Sequence, residues 1–383
     1  MRKLQRLILI HRHGDRCPGV LGSCSTSESD SWRQLLPPTH KHDQMSQRYP
    51  IQTTHPNKPK NRGSNPPIGR LTERGSKQLH ALGRQLRQRY PLVTRNPTVW
   101  SSNYYRTQQS AQSLLVGMDA QPGTKINVRE SEKCSIDAFS RYAHIHELCS
   151  TMAQSAAFQA HEESHQLAAI KQQLETLPCF ADDGSQSEGS EAWQWFTAVD
   201  VLTCHKYHPQ VHKPKSIATL LPLTAESEEY MLWRFLQYYG NEKVLRLACG
   251  DLLAEIVHLA RPMQLQDSKN DSKKELPLTV YSGHDVTVMP LALALGHSWK
   301  VWPDYGSHII IEIWESSSTP SEENPSEEAC STTSVVFRLC ESSPNEQQQD
   351  EDDIVLADMS FEELTAVSRR VKPGNCEYSF IGM

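Results

Sequence analysis

Nothing in this chain reads as a membrane span. The apolar run near the start, Leu7 to Ile10, is four residues long, against roughly 20 for a helix that crosses a bilayer and about 7–15 for the core of a secretory signal. No other uncharged stretch approaches membrane length. As written, the N-terminus is not expected to act as a targeting signal. The expectation is a cytoplasmic protein, or a secretory or organellar one where the native start is longer. Paired cysteines are also missing: the ten cysteines are scattered with no C-x-x-C, which argues against a structural zinc site. Without a secretion signal they are expected as thiols. Cys340 and Cys376 flank the last folded segment and can pair in an oxidising compartment. Runs of Lys and Arg are lacking too. The 39 basic residues are outnumbered by 45 acidic ones, for a net charge of −6. That removes the electrostatic case for nucleic acid but leaves room for a local arginine cluster around a small anion.

What is present is an α/β pattern in 383 residues with 37% hydrophobic content, enough for one large domain or a core with an insertion. Leu7 to Ile10 reads as a buried strand. Residues 19–68, rich in Ser, Pro, His and Asn, read as a long loop. Thr72 is placed to cap a helix that runs through Leu79, Leu82 and Leu86. Pro97 to Trp100 is a second strand, followed by a helix from about Tyr105 to Leu115. Residues 130–260 look mainly helical: Thr151 to Leu177 is rich in helix formers, Asp182 to Glu191 interrupts, and Trp193, Trp195 and Phe196 begin a further helix. Leu245, Cys249, Leu252, Ile256 and Leu259 mark one buried helical face. After a charged linker at 266–275, Leu278 to Ser282 is a strand. So are His308 to Trp314 and Ser334 to Leu339, separated by a polar insertion at Ser316 to Thr333. Glu341 to Asp353 is acidic and expected to be disordered. Ser360 to Glu363 is a capping box that opens a last helix. The order predicts an α/β core, 1–129 and 243–383, with a helical cap at 130–242.

Chemistry gathers at strand ends. Arg12-His13-Gly14-Asp15-Arg16-Cys17-Pro18 follows the first strand, where open α/β sheets place ligands. Planar guanidinium groups match phosphoryl oxygens by paired hydrogen bonds, and two of them flank a histidine that can act as a nitrogen nucleophile. Gly14 lets the backbone turn tightly and approach a ligand. The plain alternative is a basic turn with a surface histidine. Arg106, in Ser101-Ser102-Asn103-Tyr104-Tyr105-Arg106-Thr107, follows the second strand. Alone it would be an ordinary arginine opening a helix; beside the first motif it becomes a third clamp. His284-Asp285 follows the strand Leu278 to Ser282. The histidine can donate to a phosphoryl oxygen and the acid can protonate a leaving oxygen, although an Asp is also favoured at a helix start for electrostatic reasons.

These motifs resemble the histidine acid phosphatases, branch two of the histidine phosphatase superfamily. The likeness rests on RHGDRCP at residues 12–18, LTERG at 71–75, SSNYYRT at 101–107 and SGHDVT at 282–287. It implies a phosphomonoesterase with His13 as the nucleophile that becomes phosphohistidine. Arg12, Arg16, Arg106 and His284 would bind the phosphoryl group, and Asp285 would donate the proton. It further implies a mainly parallel central sheet with helices on both faces, an inserted helical cap, a small phosphorylated substrate, and no metal or cofactor. The segment after SGHDVT is closest to the lysophosphatidic acid and 2-phosphoxylose phosphatase arm. His11 departs from the family, which usually has an apolar or aromatic residue there. Cys17, before Pro18, is a possible site of oxidation near the nucleophile.

Two rivals remain on sequence grounds: an inositol-polyphosphate phosphatase, which would need a wide basic cap, and a phosphoryl-binding module without turnover. Arginines should lower the pKa of Asp285 while burial raises it, so an acidic optimum is expected if desolvation does not dominate. Cys204, His205, His208 and His212 form a Cys/His group too irregular to make a persuasive metal site. His40 and His42 read as solvated, and Trp193, Trp195 and Phe196 as cap core.

Overall fold

The computed structural model describes residues 2–21, 25–53, 67–129, 134–163, 172, 191–262, 275–317, 331–342 and 353–372. Eight strands form one sheet: β1 (Arg2–Arg12), β2 (Ile51–Thr53), β3 (Thr98–Ser101), β4 (Ile126–Val128), β5 (Leu278–Gly283), β6 (His308–Ser317), β7 (Ser331–Cys340) and β8 (Ile354–Ser360). Their spatial order is β2-β4-β3-β5-β1-β6-β7-β8. From β2 to β1 every neighbouring pair is parallel; from β1 to β8 every pair is antiparallel. The fold is α/β as expected, with a mixed sheet. Among the described residues no helix is long and apolar enough to cross a membrane.

β1 lies inside the sheet because both of its faces are apolar. Leu7, Ile8, Leu9 and Ile10 are completely buried, each contributing about 1.5–3 kcal/mol over an exposed side chain. Leu7 and Leu9 pack with Leu79, Leu82 and Leu114 from the helices Glu73–Arg89 and Tyr105–Gly117. Ile8 and Ile10 point the other way, into a cluster with Tyr142, Trp195, Phe235 and Leu252 from helices between β4 and β5. Helices therefore cover both faces. In the helix Glu242–Ala260, Cys249, Leu252 and Ile256 are buried, while Leu245 and Leu259 pack at its margin.

Several expectations need correction. Residues 19–68 are not one loop: they contain the helices Thr26–Arg33 and Thr39–Arg48 as well as β2. The first of these helices is capped by Ser25, which accepts from the Glu28 amide at 3.2 Å, and is anchored by buried Trp32 and Glu28. The helical run through Thr151 ends at Ala153; Ser155 then caps a second helix, Ala156–Glu162. β8 follows directly on the acidic stretch, of which 343–352 lie outside the described residues. The interruption at Asp182 to Glu191 except for Glu191, nearly all of the linker 266–275, most of the polar insertion and Cys376 also fall outside them. Cys340 is buried at the end of β7.

Two motif glycines fix the loop after β1. A Cβ on Gly75 would meet the Asp15 carbonyl oxygen at 2.1 Å, and one on Gly14 would meet the Gly75 carbonyl oxygen at 2.4 Å. Backbone therefore lies directly on backbone there. Thr72 caps the helix as expected, accepting from the Gly75 amide at 3.1 Å.

Candidate active site

β3, β5 and β1 are adjacent and parallel, so their C-terminal ends open on one edge of the sheet. β1 runs into Arg12, His13 and Arg16. β3 leads through Ser102 to Arg106 in the first turn of a helix, and β5 ends beside His284, which opens the helix Asp285–Ala294. The six residues expected from sequence come together here. The ring of His13 meets that of His284 edge-on, with centroids 5.6 Å apart. Arg12 pairs with Asp285 at 3.0 Å. Arg16, Arg106 and Arg12 all act electrostatically on both histidines.

Hydrogen bonds set the chemistry of His13. Its Nδ1 lies 2.8 Å from the Gly14 carbonyl oxygen. A carbonyl only accepts, so Nδ1 carries the proton and Nε2 keeps its lone pair. Burial and then the charges of Arg106, Arg12 and Arg16 push the His13 pKa well below the usual histidine value. The ring is therefore a neutral base even in mildly acidic solution. His284 is held down for the same reasons, burial first and Arg106 next, with Asp285 opposing. Its Nε2 lies 2.8 Å from Ser102 Oγ.

Burial alone would raise Asp285, but Arg12, His284 and a hydrogen bond from Trp302 together hold it below the ordinary carboxyl range. The Trp302 indole donates to Oδ2 at 3.1 Å and the Val286 amide to Oδ1 at 2.8 Å. Arg106 lies over the Tyr104 ring at 4.3 Å, and burial brings its pKa down to about 10. Arg12 lies over Tyr305 at 4.3 Å and donates to the Pro303 carbonyl. Arg16 makes two bonds to Asp200, of 2.6 and 3.1 Å.

Asp200, Trp302, Tyr305 and Ser102 were not singled out from sequence. Ser102 sits inside one of the motifs and could have been. Asp200 comes from a helix 184 positions beyond Arg16, and nothing local marks it. The Cys/His group does not converge on itself. His205 Nε2 lies 3.2 Å from Glu28, and His208 Nε2 donates to Asp15 at 2.6 Å. His205 thus ties the helix Glu191–Tyr207 to the helix Thr26–Arg33, and His208, in the turn that follows, ties it to the site loop at Asp15. His40 is exposed, His42 is half-buried, Trp195 is core and Phe196 borders it. Burial pushes the Cys17 thiol far up, which keeps it from the reactive thiolate form.

Arg12, Arg16 and Asp285 form one side of a cavity of about 660 Å³. Phe196, Val199, Met231, Leu232 and Trp302 supply apolar wall. Asp200, Glu228, Glu229, Asp304 and Glu341 outnumber Lys206 and Lys300 among its other charged residues. His13, 2% exposed, is not among the lining residues, nor are Arg106 and His284.

Lysophosphatidic acid phosphatase type 6 of Bos taurus is 25% identical over 262 residues, covering 64% of this chain and 57% of the relative. The chain thus spans little more than half the length of that protein. Prostatic acid phosphatase of Rattus norvegicus is 26% identical over 290 residues, 70% of this chain and 72% of the relative. Among solved structures, the Bifidobacterium longum multiple inositol polyphosphate phosphatase in complex with phosphate superposes with a TM-score of 0.53. It has 11% identity and covers 100% of this chain and 94% of that one. Citrobacter braakii phytase gives 0.52 at 14% identity, covering 97% and 98%. At such identities the structures speak for the fold alone. The family profile described as "Histidine phosphatase superfamily (branch 2)" matches residues 3–335. With that match spanning both the first and the last of the site motifs, the chain belongs to branch 2 of the histidine phosphatase superfamily.

Proposed function

We propose that this protein hydrolyses phosphomonoesters through a phosphohistidine on His13. The observation that carries the reading is a buried, neutral imidazole with its lone pair on Nε2, set among three arginines, one of which pairs with the acid Asp285. In the first step Nε2 attacks phosphorus, the P–N bond forms and the ester P–O bond breaks. The departing oxygen keeps the electron pair and takes the proton of Asp285. In the second step water attacks phosphorus, gives a proton back to Asp285, and the P–N bond breaks to release phosphate. Arg12, Arg16, Arg106 and His284 hold the phosphoryl oxygens as charge builds on them.

Asp285 must be protonated for the first step. Without substrate, Arg12 stabilises its anion; a phosphoryl dianion competes for Arg12 and so raises the acid. Because His13 is already neutral, the activity should fall as pH rises through the Asp285 pKa of the complex, which gives an acidic optimum.

We assign residues 1–129 and 243–383 to the phosphatase core and 130–242 to a cap. Phe196, Val199, Met231 and Leu232 suit a phosphomonoester with a single apolar tail, the chemistry of a lysophosphatidic acid. The surplus of acids disfavours a densely charged inositol polyphosphate. The test is a panel of an aryl phosphate, lysophosphatidic acid, a phosphorylated sugar and inositol hexakisphosphate. The first two should be the better substrates. Preference for inositol hexakisphosphate would reverse the assignment of substrate class, and turnover of none would leave a phosphoryl-binding module.

A further inference from the structure

On the antiparallel side of β1, four donor side chains stand in one line across four strands. His11 of β1 is directly opposite His308 of β6, and His308 is directly opposite Cys340 of β7. The β7–β8 register pairs Leu339 with Ile354; one residue further it sets Cys340 beside Asp353. Directly opposed residues on neighbouring antiparallel strands share a face of the sheet. A histidine nitrogen of His308, the sulfur of Cys340 and a carboxylate oxygen of Asp353 all lie within 4.8 Å of one another.

The imidazoles are arranged as ligands. His308 Nδ1 lies 3.1 Å from the Gly306 carbonyl oxygen, and His11 Nδ1 lies 2.9 Å from that of Arg12. Each carbonyl fixes the proton on Nδ1 and leaves the lone pair on Nε2, as backbone carbonyls do behind metal-bound histidines. His11 is completely buried and its Nε2 has no hydrogen-bond partner. That ring is close enough to His308 for their charges to oppose each other.

We propose that His308, Cys340 and Asp353 bind a zinc ion, with a water as the fourth ligand. Nitrogen, thiolate and carboxylate donors in a small buried volume suit a borderline, four-coordinate divalent ion. The balance of charge is favourable. On binding, the Cys340 thiol releases one proton to solvent; its thiolate and the Asp353 carboxylate then neutralise the two positive charges of zinc. Asp353 is paired with Arg89, and Glu312, 4.0 Å from Arg89, can remain as that arginine's counter-ion. No cysteine spacing announces such a site, because each ligand comes from a different strand or strand end. Its role is structural: it would tie β6, β7 and the start of β8 together beside β1, the strand that leads into His13.

The test is metal binding by the whole chain. After dialysis against dilute zinc, about one equivalent should remain bound. Cobalt(II) in its place should give intense near-ultraviolet thiolate-to-metal absorption and the strong visible bands of a tetrahedral site. Cys340→Ser should abolish the thiolate absorption, and Asp353→Asn should weaken zinc binding by about 10-fold or more. Zinc should raise the melting temperature of the wild type and leave that of Cys340→Ser unchanged. Cobalt bound by the wild type without thiolate absorption, or zinc retained equally by both variants, would overturn the site. The cobalt spectrum is read on the wild type, so the result stands even if a variant folds poorly.

Discussion

At the scale of single residues, the balance of charge around His13 and Asp285 governs what each can do. Removing one clamp, by Arg12→Ala, Arg16→Ala or Arg106→Ala, deletes bonds that strengthen as charge develops on the phosphoryl oxygens. Each change should lower kcat by about 10²–10³-fold. Wild-type turnover in Arg106→Ala would show that Arg106 faces elsewhere during catalysis. Asp200→Asn is expected to act in the opposite sense. It weakens the paired bonds that occupy Arg16, so inorganic phosphate should inhibit several-fold more tightly. A buried group left short of a partner costs about 1–3 kcal/mol, so the melting temperature should fall without phosphate and recover with it. Unchanged phosphate inhibition would show that Asp200 does not compete for the clamp. The Arg and His clusters were legible in sequence because they adjoin apolar strands. Asp200 and Trp302 were not, because a contact across the fold leaves no mark in local spacing.

At the scale of elements, the helix Glu73–Arg89 is seated on the loop after β1 through Gly14 and Asp15. The Asp15 amide donates to Gln78 of the helix at 2.8 Å. The Asp15 carboxylate accepts from His208 at 2.6 Å and from Thr72, while its backbone lies against Gly75. Gly75→Ala drives a Cβ into the Asp15 carbonyl, and backbone cannot rotate aside as a side chain can. A stability loss of about 1–3 kcal/mol is expected, with a larger fall in activity than the Thr72→Ala cap deletion at about 1 kcal/mol. Chemical denaturation with parallel assays would check both. Equal activity losses for equal stability losses would mean that Gly75 serves folding alone. Strand β1 was predictable because Leu7 to Ile10 are apolar on both faces. The helix Thr26–Arg33 was missed because its burial rests on little besides Trp32 and Glu28. β8 escaped because it borders the sheet without the alternation that marks a half-buried strand.

At the scale of the whole molecule, stability and activity should respond to acid in opposite ways. His13 and His284 are buried with pKa values well below 6.5, whereas in the unfolded chain they protonate near that value. Between the folded and unfolded pKa values the unfolded state binds more protons. Stability is therefore full above about 6.5 and declines as pH falls below it. Thermal unfolding should shift to lower temperature through that window while the initial rate of hydrolysis rises. A melting temperature flat from neutral pH to the activity optimum would contradict the burial of both rings as neutral groups. The measurement that bears most directly on the mechanism is made in Asp285→Asn. An aryl phosphate, whose phenol leaves without much help from an acid, should still phosphorylate the enzyme. An alkyl phosphate should be turned over far more slowly. Because the amide cannot accept a proton from the attacking water, the intermediate should accumulate during a rapid quench. The account predicts acid-labile, base-stable phosphate on His13, and its complete loss in His13→Ala. Phosphate found on a serine or on Cys17, or no trapped phosphate with alkyl and aryl substrates slowed equally, would contradict it.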